Sequence, residues 1–162
     1  MRKLFWIGVL AAAFYGHSRF VFSEPAMMSW MQKQQDLALK GADGMCDAYA
    51  QDVQVNLRMQ TERGEAAVEG GKEDLCNHLK DASAALRVTQ PSLNINNELL
   101  SLEPSGFPWM SATVKLRQTS TLQMRGAPLM TEVSDSTYVV KRTLEGRQIT
   151  SIDSDSTVSL SR

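Results

Sequence analysis

The chain has 162 residues, of which 43% are hydrophobic and 22% are charged, and its formal net charge is −1. This length and composition are typical of a single folded domain with a sizeable core, and they exclude an intrinsically disordered chain. The weak net charge and the singly scattered basic residues give no electrostatic footprint for nucleic acid, so no nucleic-acid partner is expected.

The N-terminus has the polarity of an export signal. Arg2 and Lys3 precede an apolar run from Leu4 to Gly16, and residues 1–23 contain no acid. A run that ends at Gly16 has the length of a signal-peptide core, whereas a run extended to residue 22 approaches the ~20 residues that span a bilayer. A cytosolic protein with an apolar N-terminal helix is the remaining alternative.

The chain is therefore predicted to have two parts. Residues 1–23 form a signal peptide, cleaved after Ser23, or a membrane anchor that contacts the membrane through residues 4–22. Residues 24–162 form one domain outside the cytoplasm, periplasmic or anchored to the inner membrane. Without residues 1–23, which hold three of the 17 basic and none of the 18 acidic residues, the net charge becomes −4.

Two cysteines occur, Cys46 and Cys76, on predicted neighbouring helices. In an oxidising compartment they can form a disulfide, and the closed loop of about 30 residues would stabilise the fold by ~3–4 kcal/mol. The alternative is two buried, reduced thiols. No close cysteine pair exists, and His17 and His78 are the only histidines, so we predict no metal site and no cofactor.

Three stretches of the domain have helical periodicity. Residues 25–40 follow a capping serine and repeat apolar residues at helical spacing, and residues 43–51 form a shorter stretch of the same kind. From Lys72 onward, Leu75, Leu79 and Leu86 fall on one stripe of a further amphipathic helix.

The other periodic stretches alternate with period two, as strands do. Val53, Val55 and Leu57 occupy one face of a strand at residues 52–61. Further strands are predicted at Ala66–Glu69, at Leu93–Leu102 with a bulge at Leu99–Leu100, and at Met110–Met124, Leu129–Leu144 and Arg147–Asp155. This order predicts an α+β fold with helices packed on one face of a curved antiparallel sheet.

Three segments carry a resemblance to a known superfamily. They are Ala48 to Val55, the glycine-led Gly70 to Leu75, and a terminal hairpin from Tyr138 to Ile152 around Glu145 and Gly146. Over residues 25–160 the chain resembles the nuclear transport factor 2-like (SnoaL-like, cystatin-like) superfamily. The resemblance implies a cone-shaped domain built from three helices and a bent antiparallel sheet.

The superfamily includes isomerases, dehydratases and cyclases that work inside the cone, and also noncatalytic binding or assembly domains. Enzymes that resemble ketosteroid isomerase use a cavity Asp or His as general base and a Tyr or protonated acid as oxyanion donor. The resemblance thus makes Tyr49, Asp52, Tyr138 and Asp153 candidates, with Trp109 as a candidate cavity wall. Packing and backbone-capping roles compete with this interpretation for Tyr49, Trp109 and Asp52.

The sequence contains no serine in a glycine elbow, no recognisable Cys–His pairing and no phosphate-binding glycine loop. We therefore expect a noncatalytic, exported or membrane-tethered envelope domain that acts in protein–protein interaction or assembly, as in a secretion-type complex. Its partner would be another protein or a second copy of the chain. The alternative is a small-molecule-binding protein, or an isomerase- or dehydratase-like enzyme, that uses the cone cavity.

Overall fold

The computed structural model describes residues 2–62, 64–106, 109–124, 126–144 and 146–161, and for residues 2–5 it describes the backbone alone. The elements are α1 (Arg2–Val21), α2 (Glu24–Lys40), β1 (Tyr49–Thr61), β2 (Gly64–Gly70), α3 (Lys72–Thr89), β3 (Ser92–Ser105), β4 (Ser111–Gln123), β5 (Leu129–Thr143) and β6 (Gly146–Ser161). Three helices and a curved, unclosed six-stranded sheet confirm the predicted α+β class.

The strands follow the order β2-β1-β6-β5-β4-β3. Four neighbouring pairings are antiparallel, but β1 and β6 run parallel, with Val55 opposite Ile152. The expectation of a wholly antiparallel sheet is therefore wrong at this pairing. Its cause is the connection through α3, which carries the chain to the far edge of the sheet, from which three hairpins return it beside β1.

Sequence periodicity located most elements correctly. The helices at residues 25–40 and from Lys72 are present, and the predicted bulge is seen as a register shift between Leu99 and Ser101. Gly146 pairs with Thr143 at the base of the final hairpin, as expected, whereas Glu145 lies outside the described residues.

The helix predicted at residues 43–51 is wrong. Successive turns occupy this segment, and β1 already begins at Tyr49. Gly44 has φ +82°, which does not fit an α-helix, and the amide of Ile149 donates a hydrogen bond of 2.7 Å to the carbonyl of Ala48. The Ala48 carbonyl thus accepts a hydrogen bond from the sheet instead of a helical one.

Helices α2 and α3 are joined to the turn segment at residues 42–48. The C-terminus of α2 ends at Gly41, which has φ +52° and donates its amide to the carbonyl of Ala38. Cys46 forms the expected disulfide with Cys76 on α3, with a Cα–Cα distance of 6.0 Å. The amide of Gly71 donates to the Asp74 carboxylate at 3.0 Å and starts α3.

The core lies between the helices and one face of the sheet, here called the inner face. Ala112 and Val114 on β4 and Val140 on β5 are fully buried there, as the alternating pattern requires. The buried hydrophobic cluster comprises Phe22, Met27, Tyr49, Val53, Val55, Leu75, Ala112, Val114, Leu116, Val140, Ile149 and Ile152. The opposite, outer face is polar and carries the ion pairs Arg117–Asp135 and Arg58–Asp153.

The apolar N-terminal segment forms most of α1. Residues 6–17 are exposed, whereas Ser18 and Phe22 are buried against the domain. In the part of the chain that the structure describes, none of the helices combines the length and the hydropathy that a membrane crossing requires.

Candidate functional site

A cavity of about 260 Å³ lies between α2, α3 and the inner face of the sheet. Every strand except β2 contributes at least one side chain to the wall of this cavity. The cavity is lined by Met28, Met31, Gln32, Gln34, Gln35, Ala38, Leu39, Tyr49, Leu79, Ala82, Ser83, Leu86, Asn97, Leu116, Gln118, Tyr138 and Ile149.

Helical and strand periodicity together place these side chains. Met28 and Met31 are three residues apart on α2, and Leu79 and Leu86 are seven apart on α3, so each pair lies on one helix face. The strands expose single inward side chains, such as Leu116, between outward polar residues. The cavity wall is consequently mainly apolar.

The position of α3 relative to the sheet is fixed near the cavity. The Cys46–Cys76 disulfide lies one turn before Leu79, and Lys72 Nζ donates a hydrogen bond of 2.7 Å to the carbonyl oxygen of Tyr49. One disulfide bond and one hydrogen bond therefore hold this wall of the cavity near the start of β1.

Three amide side chains from different elements form a hydrogen-bonded chain along the cavity. Asn97 Nδ2 donates to Gln35 Oε1 at 2.7 Å, and Gln35 Nε2 donates to Gln118 Oε1 at 3.1 Å. All three are partly buried. With this orientation the amide nitrogen of Gln118 keeps its own donors for a bound molecule.

Two tyrosines add hydroxyl groups to the cavity wall. Burial, with a smaller contribution from Tyr138, raises the pKa of Tyr49 to about 12. Burial also raises the pKa of Tyr138, and a hydrogen bond with the Ser136 side chain opposes that shift. Both hydroxyls therefore stay protonated at physiological pH and act as neutral hydrogen-bond donors.

The structure brings together two of the four residues predicted to line the cavity. Tyr49 and Tyr138 both lie in its wall. Asp52 is exposed on β1, in the stretch where the register with β6 shifts, and Trp109 packs beneath α1. Asp153 is on the outer face, paired with Arg58. A ligand-binding role for these residues stays a prediction.

No carboxylate, imidazole, ammonium or guanidinium group occurs among the described residues that line the cavity. The nearest acids lie in two adjoining grooves. Asp36 borders one that shares Gln35 and Asn97 with the cavity, and Glu132 borders another, where it accepts a hydrogen bond from Ser120 at 3.3 Å. The described side chains of the cavity wall can therefore donate hydrogen bonds, and none of them is a carboxylate or imidazole.

The amide chain is the part of the site that sequence reasoning missed. Gln35 precedes Asn97 by 62 residues and Gln118 by 83, and each is an ordinary polar residue within an amphipathic pattern. No local spacing connects them, because only the packing of α2 on β3 and β4 brings them together.

The arrangement of helices and sheet is similar to the cystatin-like fold of solved NTF2-like proteins, and the likeness is one of fold alone. No protein-family model matches the sequence, and no curated protein matches it. The relation therefore comes from solved structures.

Three solved structures illustrate the likeness. An NTF2-like protein with a cystatin-like fold from Novosphingobium aromaticivorans has a TM-score of 0.61 at 15% identity, over 90% of this chain and 86% of its own. The beta subunit of benzoate 1,2-dioxygenase from Burkholderia mallei has a TM-score of 0.59 at 12% identity, over 85% of this chain and 91% of its own. A domain of unknown function with a cystatin-like fold from Nostoc punctiforme has a TM-score of 0.52 at 16% identity, over 85% of this chain and 78% of its own. Identities this low indicate a shared fold alone.

Proposed function

We propose that this protein is a noncatalytic binding protein whose cavity holds a small, neutral, largely apolar molecule with one hydrogen-bond acceptor. The observation that carries the proposal is the composition of the cavity wall. Methionine, leucine and isoleucine side chains suit an apolar body, and Tyr49 and the amide nitrogen of Gln118 supply donors.

The charge of the wall decides between neutral and ionic ligands. A carboxylate or ammonium group would lose its hydration without gaining an opposite charge, because the described lining residues include no ionisable group other than the two protonated tyrosines. A ketone, ether or alcohol loses far less hydration free energy, and one hydrogen-bond donor satisfies its oxygen. A neutral ligand is therefore favoured.

The same composition favours binding over catalysis. Acid–base chemistry of the ketosteroid isomerase type needs a base within hydrogen-bond reach of the bound molecule. Asp52, the sequence-predicted base, is exposed on β1, and Asp36 and Glu132 border the adjoining grooves rather than the cavity. The tyrosines and amides that remain can orient a carbonyl group without removing a proton from it.

The cavity volume limits the size of the ligand. About 260 Å³ lies just below the ~300–1,000 Å³ of typical small-molecule pockets. A bicyclic aromatic ketone such as acetylnaphthalene is a suitable probe of this size. Ethylnaphthalene is its matched control, since it has nearly the same shape and lacks the acceptor oxygen.

A substitution at the cavity wall tests the proposal. Ala82 on α3 lines the cavity and is exposed, so Ala82→Trp fills the opening without entering the core. We expect acetylnaphthalene to bind the native protein and its affinity to fall by about tenfold or more, or at least ~1.4 kcal/mol, in this variant. Isothermal titration calorimetry measures both affinities.

Ala84→Trp is the matched control, because Ala84 is exposed on the same helix but does not line the cavity. The Ala84→Trp variant should bind acetylnaphthalene with the affinity of the native protein. The native protein should bind ethylnaphthalene less tightly than acetylnaphthalene. Equal losses in the two tryptophan variants, or no saturable binding of either probe, would contradict the proposal.

We further propose that the domain works in the cell envelope, outside the cytoplasm. Two observations support this location: Arg2 and Lys3 before an apolar segment, and the Cys46–Cys76 disulfide, which an oxidising compartment favours. Fractionation of host cells, with the redox state of the two cysteines read by alkylation, tests it. Recovery in the cytosol with both thiols reduced would refute it.

Assembly with a protein partner, or with a second copy of the chain, stays a prediction. The outer sheet face is the surface on which it would occur. Its threonines Thr113, Thr119, Thr121 and Thr137 are partly exposed, and ordinary solvation of a strand face is the simpler explanation of them.

A further inference from the structure

Helix α1 has two halves with opposite surroundings. Residues 6–17 are all exposed, and they include Ile7, Leu10 and Phe14 with exposed fractions of 63%, 68% and 45%. One side of the last turn is buried instead, with Ser18 at 0% and Phe22, just beyond the helix, at 2%, whereas Phe20 on the same turn is 69% exposed. The exposed half is the one that is rich in apolar residues.

The buried end of α1 is held by the hairpin between β5 and β6. Arg142 Nη1 donates to Ser18 Oγ at 2.5 Å, and its guanidinium lies 4.8 Å from the ring centre of Phe14. Arg147 Nη1 donates to the carbonyl oxygens of Val21 and Ala26 at 3.0 Å each. These contacts make the second half of α1 an integral part of the folded molecule.

The exposed half is apolar around its whole circumference. From Leu4 to Gly16 the sequence contains no charged side chain, and helices that are apolar all round are normally covered on every side. A groove on a protein covers one face of a helix, whereas acyl chains surround it. At 1.5 Å per residue the stretch is ~20 Å long, which is shorter than a hydrocarbon core of ~30 Å. Such a helix does not cross the bilayer, and it is covered on every side when it lies below the headgroups of one leaflet.

Positive charge collects where α1 meets the domain. We call Arg19, Arg142 and Arg147 the cationic collar; within the described residues none of them forms an ion pair with a carboxylate. Arg142 and Arg147 are directly opposite each other in the β5–β6 register, an arrangement that is unfavourable without a nearby anion.

The collar is also close to exposed apolar residues on the domain. Arg19 lies 4.9 Å from the ring centre of Trp109, and the amide of Arg142 donates to the carbonyl of Met110. Leu144, at the tip of the same hairpin, is completely exposed. Apolar groups beside cations that have no carboxylate partner among the described residues match the layered chemistry of a membrane interface.

We propose that α1, the cationic collar and the tip of the β5–β6 hairpin together dock on the surface of an anionic phospholipid bilayer. The apolar half of α1 lies among the acyl chains along that surface. The collar meets the lipid phosphates, and Leu144 enters the interface beside it. The sequence places Arg2 and Lys3 before the apolar stretch and Arg19 after it, so both ends carry the charge that favours headgroups.

Vesicle cosedimentation of the full chain tests this surface, with phosphatidylcholine vesicles compared with vesicles that also contain phosphatidylglycerol. We expect binding to both, stronger to the anionic vesicles and weakened by salt. Leu10→Asp should lower the partition coefficient about tenfold or more on either vesicle, because it places a charge among the acyl chains. Arg19→Gln, at an exposed collar residue, should lower it about fivefold on anionic vesicles and leave neutral vesicles unaffected.

Val88→Asp is the matched control, since Val88 is an exposed apolar residue on α3, outside the proposed surface. It should bind vesicles as the native chain does. Unchanged binding of Leu10→Asp, or equal losses in Leu10→Asp and Val88→Asp, would overturn the proposal. So would a lipid-free oligomer that Leu10→Asp dissociates, because a second copy of the chain would then cover α1. A chain recovered from its host that begins at Glu24 would overturn it as well.

Discussion

At the scale of single residues, Tyr49 shows how burial sets the chemistry of the cavity. Its side chain packs in the hydrophobic core and at the same time lines the cavity. Because the surroundings disfavour the phenolate, its pKa rises from 10.0 to about 12. The result is a hydroxyl that remains a donor under all physiological conditions.

The raised pKa predicts a loss of stability in alkaline solution. Above pH 10 the unfolded chain releases the Tyr49 proton, whereas the folded chain keeps it until about pH 12. The stabilisation is therefore complete below pH 10 and lost as the pH rises towards 12, by about 2–3 kcal/mol in the free energy of unfolding.

Tyr49→Phe should remove this contribution and make the pH dependence shallower between pH 10 and 12. Urea unfolding of both proteins across this range, with pH 7 as the reference, measures the difference. An equally steep decline in the variant would show that Tyr49 ionises alike in the folded and unfolded chains.

Sequence reasoning found the tyrosines of the site but not its amides. Tyr49 and Tyr138 stand out as aromatic hydroxyls within apolar patterns, and both reach the cavity. Asp52 has the chemistry of a general base, but its alternating position on β1 points it away from the interior. The link between Gln35 and Gln118 depends on tertiary packing, which no local pattern encodes.

At the scale of elements, the disulfide connects the turn segment at residues 42–48 to α3. Turn hydrogen bonds such as that from the Met45 amide to the Ala42 carbonyl shape this segment, and Met45 and Ala48 are its buried hydrophobic residues. Cys46–Cys76 therefore contributes to the position of α3, whose residues Leu79 and Leu86 line the cavity.

Replacing both cysteines by serine should lower the free energy of unfolding by ~3–4 kcal/mol, because it frees a loop of 30 residues in the unfolded chain. Urea denaturation measures the change. The native protein under reducing conditions is the control and should show a similar loss. A loss below ~1 kcal/mol in both would mean that the bond does not constrain this loop.

The elements that sequence periodicity predicted well are those with a long, regular pattern. Residues 25–40 and the strand at residues 52–61 extend over several periods, so their apolar faces were unambiguous. Residues 43–51 offered only two turns of helical spacing, and sheet pairing at Tyr49 and Ala48 decided their structure. The parallel pairing of β1 with β6 follows from the chain path, and the alternating pattern of neither strand indicates it.

At the scale of the whole molecule, α2 lies between the two proposed surfaces. Met28 and Met31 line the cavity, whereas Trp30 lies 5.0 Å from the guanidinium of Arg147 in the cationic collar. A ligand in the cavity and the cationic collar would therefore contact different sides of one helix. The arrangement is consistent with a binding domain that works at a membrane surface.

The most direct test of the central claim is an NMR titration of the methyl-labelled protein with acetylnaphthalene. The account predicts saturable shifts at Leu79, Leu116 and Ile149, which line the cavity, and unchanged signals at Ile7 and Leu10 on α1. Shifts confined to α1, or no saturable shift at the three cavity residues, would contradict it.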